Sequence, residues 1–217
     1  MIERWIQTMR TEDPGREDAA ATRARLRPLF PPGATRRMTQ LGLFLGSVLS
    51  GLSLGPEDDL VYATAYGESR TLREYLEGFP TPSPTLFQTS IHPSAPQQIL
   101  VARQGPVREF FPFAGRRQVI AHAAQAALLS NAPRVVLCGG EERNGWLADS
   151  DAASPESFAF ALELVRAPSA ALGRLALEPG GGEAGALTLP EFFAALRERR
   201  PLNHPAAAGW RLLLEWS

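Results

Sequence analysis

The sequence predicts one α/β layered domain with a mixed sheet, and three observations carry the prediction. Strand-like and helix-like stretches alternate between residues 60 and 138, an order that lays helices on a sheet rather than building a bundle or a sandwich. Further on, short apolar stretches at strand spacing follow one another, so strand–strand pairing joins the alternation. Finally, 217 residues with 44% apolar content can bury a sizeable core without disulfides or a structural metal.

Residues 1–35 read as an N-terminal segment and linker. Ile2, Trp5, Ile6 and Met9 give way to a charged, Ala-rich run and then to Pro28, Pro31, Pro32 and Gly33, which punctuate a loop laid over the surface. Residues 36–178 form the main α/β domain. Its first helix is expected over 36–54, because Met38, Leu41, Phe44, Leu45, Val48, Leu49 and Leu52 recur at three-to-four spacing until Gly55-Pro56 stops them. A strand over 60–65 closes at Tyr66-Gly67-Glu68, a short helix follows over 70–77, and 80–84 is a loop. A helix over 94–103 ends before the Gly105-Pro106 turn, and 107–111 is a strand.

The clearest helix is 115–130. It is apolar nearly all round its circumference, so it is expected to be buried on every side, between layers. A buried strand over 134–138 should terminate at Gly139-Gly140, with Glu141-Glu142 as a solvated acidic turn. Residues 158–165 alternate as a half-buried strand does, and 172–177 can pair with them as a hairpin. The last segment, 179–217, holds a glycine loop, a helix over 190–199 with proline at its start, and a closing strand over 210–216.

Composition removes several kinds of chemistry. The net charge is −1, so no strong field draws the chain to nucleic acid or an anionic membrane. All 22 basic residues are arginine, which excludes a Schiff-base lysine, a pyridoxal-phosphate attachment and a P-loop lysine. A lone Cys138 excludes internal disulfides and a cysteine-based zinc site, and His92, His122 and His204 are too few for a histidine-rich centre. No cofactor or metal is expected. The first ten residues lack the apolar region of a signal peptide. The longest apolar stretch, 41–54, falls short of the roughly 20 residues of a spanning helix. A cytoplasmic protein is expected.

Two short motifs read as coincidences. Gly180 to Gly185 spells G-x-G-x-x-G, but no helix opens on it to receive a pyrophosphate, and a solvated linker accounts for it. Gly51 to Gly55 spells G-x-S-x-G around Ser53, yet a helix precedes the serine where the hydrolase elbow needs a strand. Ser53 with His204 and Asp149 or Asp151 is nevertheless the enzymatic alternative, a serine hydrolase. Cys138 reads as a small buried hydrophobe and His122 as a packed core histidine.

Residues 36–142 resemble the N-terminal half of the β-ketoacyl synthases, the condensing enzymes of the thiolase fold. The resemblance rests on Arg36-Arg37-Met38 before an apolar helix, on Tyr66-Gly67-Glu68 after a strand, and on Ser83-Pro84-Thr85-Leu86-Phe87 followed by Ser90-Ile91-His92. Gly105-Pro106 and the apolar strand ending in Gly139-Gly140 complete it. It implies a thiolase-like half-fold whose buried central helix is 115–130. In that family the nucleophilic cysteine follows the proline by eight residues and precedes the glycine pair by twenty-five. Counting from Pro106 and from Gly139 reaches the same position, Ala114.

Alanine can form no acyl-enzyme, and the family's catalytic histidines and lysine have no counterpart. The family's Ser-rich start of the helix is also absent, and Arg116 and Arg117 stand in what should be the helix's first turn. The resemblance therefore implies a catalytically silent ketosynthase-like protein of the truncated kind found in bacterial type II fatty-acid-like and aryl-polyene pathways. It would act as an accessory subunit, in a homodimer or with a ketosynthase-like partner. Arg23, Arg25, Arg27, Arg36 and Arg37 would be the contacts for an acidic acyl carrier protein, unless the neighbouring carboxylates of Glu12, Asp13, Glu17 and Asp18 pair with them.

Overall fold

Eight strands make one sheet in the order β3-β2-β4-β5-β1-β6-β8-β7, in a computed structural model that describes residues 1–167, 170–180, 183 and 185–217. The strands are β1 (Ile2–Glu12), β2 (Asp59–Thr64), β3 (Glu109–Ala114), β4 (Arg134–Glu141), β5 (Phe158–Val165), β6 (Gly173–Pro179), β7 (Leu202–Ala207) and β8 (Trp210–Trp216). β2 runs parallel to β3 and to β4, and every other pairing is antiparallel. The sheet is mixed, as the sequence pattern requires.

Side-chain alternation divides the core cleanly. Val61 and Ala63 of β2, Val135 and Leu137 of β4, and Phe158, Phe160, Leu162 and Leu164 of β5 face one side. There they meet α6 (Val119–Leu129) and α8 (Leu189–Arg197). Leu60 and Tyr62, Val136 and Cys138, and Ala159 and Ala161 face the other. That side is covered by α1 (Ala19–Leu26), α2 (Gln40–Leu49) and α5 (Ser94–Arg103). A period of two on each strand makes both faces apolar, giving three layers, α/β/α. The helices α3 (Ser69–Glu77), α4 (Pro84–Ser90) and α7 (Gly145–Asp149) join the strand ends. Among the described residues no helix is long and apolar enough to cross a membrane.

The segment expected to be an N-terminal segment and linker, 1–35, contributes a central strand. β1 lies between β5 and β6, with Trp5 opposite Val165 and Ile2 opposite Leu177. Its polar residues obscured this, and Glu3, Arg4 and Glu12 have partners that permit it. Arg4 is 1% exposed and donates to the carbonyls of Ser130 (2.7 Å) and Ala132 (2.9 Å). Glu3 pairs with Arg174 at 2.8 Å, and Glu12 with Arg25 at 2.6 Å. β7 and β8 come from 179–217, so the sheet crosses both expected segment boundaries. β6 forms no hairpin with β5, because β1 inserts between them.

Other expectations also shift. Gly139 and Gly140 continue β4 to Glu141 instead of ending it. The helix expected from 115 begins at Val119, so Arg116 and Arg117 precede it. α6 is not buried all round: His122 and Gln125 are exposed and Leu129 is 54% exposed. His122 is therefore a surface residue, not a core histidine. The tail covers much of the helix, since Phe192, Phe193, Leu196, Leu212 and Leu214 share its core. Cys138 is buried as expected, and burial pushes its thiol well above the usual range. In the G-x-G-x-x-G stretch, Gly181, Gly182 and Ala184 lie outside the described residues.

Candidate functional site

The parallel strands β2, β3 and β4 deliver their carboxyl ends to one place, where a cleft of about 890 Å3 opens. Crevices outside the carboxyl ends of parallel strands are the usual ligand positions of α/β sheets. The end of β2 continues into Ala65-Tyr66-Gly67, with Gly67 at φ +62°, a left-handed turn that glycine adopts at no steric cost. Thr64 is buried there. Its hydroxyl donates to Glu141 Oε1 (3.1 Å) and accepts from the Gly67 N–H (2.9 Å), and the Ala65 N–H also donates to Glu141 Oε1.

Glu141 and Glu142 are the main surprise, because a solvated acidic turn was expected and both are buried. Glu142 joins two helices. Its Oε1 accepts from the Arg70 N–H in the first turn of α3 (2.9 Å) and its Oε2 from the Leu41 N–H in the first turn of α2 (3.3 Å). Two helix N-termini thus share one carboxyl group, which supplies acceptors to otherwise unpaired donors. Glu68 does the same for α5, where its Oε1 accepts from the Ala95 N–H. Burial dominates all three, raising Glu141 to about 8 and Glu142 and Glu68 to about 7 despite the backbone donors that pull the other way.

Behind Glu141, the His92 ring stacks on Tyr62 with centroids 5.4 Å apart and planes 20° apart. Burial lowers His92 below its ordinary value. Burial, with the Glu68 and Glu141 charges adding to it, raises Tyr62 well above its own. The Tyr62 hydroxyl, both His92 nitrogens, Glu68 Oε2 and Glu141 Oε2 have no hydrogen-bond partner among the described residues.

The outer wall of the cleft is cationic. The Arg116 guanidinium sits over the Tyr66 ring, 5.9 Å from its centroid, and forms an ion pair with Asp151, to which the Tyr66 hydroxyl also donates (2.9 Å). Arg117 is exposed beside it. The cleft's three hydroxyl side chains are engaged, Tyr66 with Asp151, Ser154 with the Glu156 backbone and Thr188 in the cap of α8. The group can therefore donate hydrogen bonds and hold negative charge, but it presents no free hydroxyl or thiol nucleophile among the described residues.

Ala114 is the last residue of β3, paired with Thr64, and is exposed at the rim. Four residues separate it from α6, whose N-cap is Gln118. Ser53 is exposed on the loop entering the amino end of β2. Asp151, bonded to Tyr66, lies beyond its carboxyl end, and a six-residue strand spans ~20 Å. His204 is in β7, the far edge of the sheet, with Nδ1 2.8 Å from the Pro205 carbonyl. The serine, acid and histidine of the hydrolase alternative are not brought together, which removes that reading.

The five arginines also divide. Arg23 donates to the backbone carbonyls of Thr35 and Met38, and Arg25 pairs with Glu12 and Glu17 (2.6 and 2.8 Å). Arg27, Arg36 and Arg37 are exposed and form no ion pair among the described residues. Sequence reasoning named Tyr66 and Glu68 only as a landmark and Asp151 only as a hydrolase acid, and it missed the contacts they make here and the burial of both glutamates. A Gly-Gly-Glu-Glu run looks the same whether it leaves a strand or extends it.

No family model and no curated protein matches the chain. Solved structures do. A structure of a ketosynthase (ApeO) in complex with its chain length factor (ApeC) from Xenorhabdus doucetiae superposes with TM-score 0.70 at 16% identity, covering 99% of this chain and 100% of the matched chain. The fold is ketosynthase-like. The ishigamide ketosynthase/chain length factor matches more distantly, with TM-score 0.54 and 11% identity over 84% of this chain and 66% of that one. The thiolase-like fold implied by the sequence is thus the fold of this chain.

Proposed function

We propose that this chain is a catalytically silent ketosynthase-like subunit, acting beside a ketosynthase-like partner in polyketide or fatty-acid-like chain assembly of the aryl-polyene type, in the cytoplasm. The observation that carries the reading is the full-length superposition on a chain from a ketosynthase–chain length factor complex, combined with alanine at the end of β3 where a condensing enzyme needs its thiol. The surface supports a subunit role. β3 is an edge strand carrying Phe110, Phe111 and Phe113, with Phe111 37% exposed, and open edges invite pairing with another chain. Arg27, Arg36 and Arg37 supply the unpaired cations an acidic carrier protein would meet, which makes that contact salt-sensitive.

Affinity purification of the tagged chain from its own cells, followed by mass spectrometry and light scattering, tests the reading. A ketosynthase or a stoichiometric second copy should accompany it. A monomer of 23.6 kDa that brings down neither would overturn the subunit role.

A further inference from the structure

We propose that the hollow between α6 and the sheet surface of β1, β6, β7 and β8 binds a small uncharged planar ring bearing an amide edge, stacked on Trp210 and hydrogen-bonded to Gln125. Register sets the two sides of this hollow. On α6, Ala121, Gln125 and Leu129 recur at i, i+4 and i+8 and so form one ridge, with His122 beside it. On the sheet, Ile2 of β1 lies opposite Leu177 of β6, and Trp210 of β8 opposite Ala207 of β7. Together they enclose about 50 Å3, several times the ~10–15 Å3 that one water needs. Ala121 and Ala206 leave that space by being small, while the rim is accessible, with Trp210 38% and Leu129 54% exposed. A single ring can therefore enter edge-on. The tail that covers much of α6 leaves this face open.

The walls decide the class of ligand. In a chain with 21% charged residues, no arginine, aspartate or glutamate among the described residues lines this hollow. An ion would leave water there without a partner, so an uncharged molecule is favoured. Ile2, Leu129 and Leu177 supply apolar contact, and the Trp210 indole supplies a flat face on which an aromatic ring gains more than its buried area alone. Gln125 and His122 are both exposed at the rim, and neither side chain makes a hydrogen bond among the described residues. The Gln125 amide sets a carbonyl acceptor beside an NH2 donor, the complement of the N–H and C=O of an amide on the ligand. Apolar walls with a few polar groups to fix orientation are the usual make-up of a small-molecule site. The proposal uses neither Ala114, the β3 edge nor a partner subunit, so it stands or falls separately from the preceding reading.

Titration of the 15N-labelled chain with benzamide, followed by NMR, tests it, because the Gln125 side-chain amide and the Trp210 indole N–H report contact directly. Both signals should shift and saturate with a Kd of about 1 mM, the strength expected of so small a ligand. Toluene lacks the amide and cyclohexanecarboxamide lacks the planar ring, so each should bind about fivefold or more weakly. Gln125→Ala should lower benzamide to the affinity of toluene and leave toluene itself unchanged. Gln125 is exposed on α6, so its loss leaves the fold intact. Ala207→Leu, which fills the hollow from β7, should abolish binding of both. Equal binding of cyclohexanecarboxamide, silence at tens of millimolar benzamide, or a Gln125→Ala variant with the parent's affinity would overturn the proposal. So would saturable shifts that spare both reporter groups, because they would place the ligand elsewhere.

Discussion

Raising the pH through the range just above neutrality should weaken this fold, and Glu141 sets the size of the effect. Its folded value is about 8, whereas the ordinary value is 4.5. Between those two the folded chain holds a proton that the unfolded chain has released. Stability must therefore fall as pH rises through that window, the reverse of the behaviour of a salt-bridged carboxylate. From about pH 7 to about pH 8, one group with this shift costs about 1 kcal/mol of unfolding free energy. Histidine contributes little there, because unfolded histidine is already largely neutral, and Cys138 acts only at higher pH. Glu142 and Glu68, near 7, add to the same slope mainly below that interval. Urea unfolding followed by tryptophan fluorescence at several pH values measures the slope directly. Glu141→Gln, which cannot ionise, should flatten it by about 1 kcal/mol over the interval. A parent protein that gains stability across this range, or a glutamine variant with the parent's slope, would refute the reasoning.

Four further outcomes are expected. Gly139→Ala should cost about 1–3 kcal/mol in the same assay, because its Cβ would fall 2.6 Å from the Ala63 carbonyl oxygen and 2.8 Å from the Phe160 ring. Asp59→Ala should cost about 2–3 kcal/mol, since it strips Arg108 and Ser130 of a fully buried carboxylate, with the partial exposure of Arg108 keeping the loss below that of a wholly buried pair. Arg4→Met keeps the bulk but leaves the Ala132 carbonyl without its donor and the Ser130 carbonyl with Arg166 alone, for a loss of about 1–3 kcal/mol. Ala114→Cys should gain a thiol that alkylating reagents reach, yet show no condensation of acyl and malonyl substrates by mass spectrometry; turnover would contradict the silent role.

The period-two stretches at 158–165 and 210–216 and the helix at 94–103 were legible because their apolar spacing is set by what they bury. β1 was not, because Arg4, Glu3 and Glu12 break its alternation, and the groups that satisfy them lie far away in sequence. Pro205 in β7 and Pro84 in α4 masked those elements, although an edge strand and a first helical turn both tolerate proline. At the site, the count to Ala114 rested on the linear spacing that the ketosynthase resemblance implies. The burial of Glu142 depended on α2 and α3 presenting their N-termini to one carboxyl, and that of Glu141 on Thr64 and Ala65 at the end of β2, arrangements that exist only in three dimensions.

The central place of β1 also constrains the order of assembly. Trp5 sits opposite Val165 and Arg174, and Ile6 opposite Leu164 and Gly173, so the strand leaves the ribosome long before either neighbour exists. Until then its apolar residues and both of its edges wait unpaired, the kind of exposure that chaperones shield. The large sequence separation of these contacts also slows the search for them. Without β1, β3-β2-β4-β5 and β6-β8-β7 would be two sheets with no bond between them. Insertion of this strand should therefore be the late, cooperative event of folding, and amide exchange in β5 and β6 should report its release.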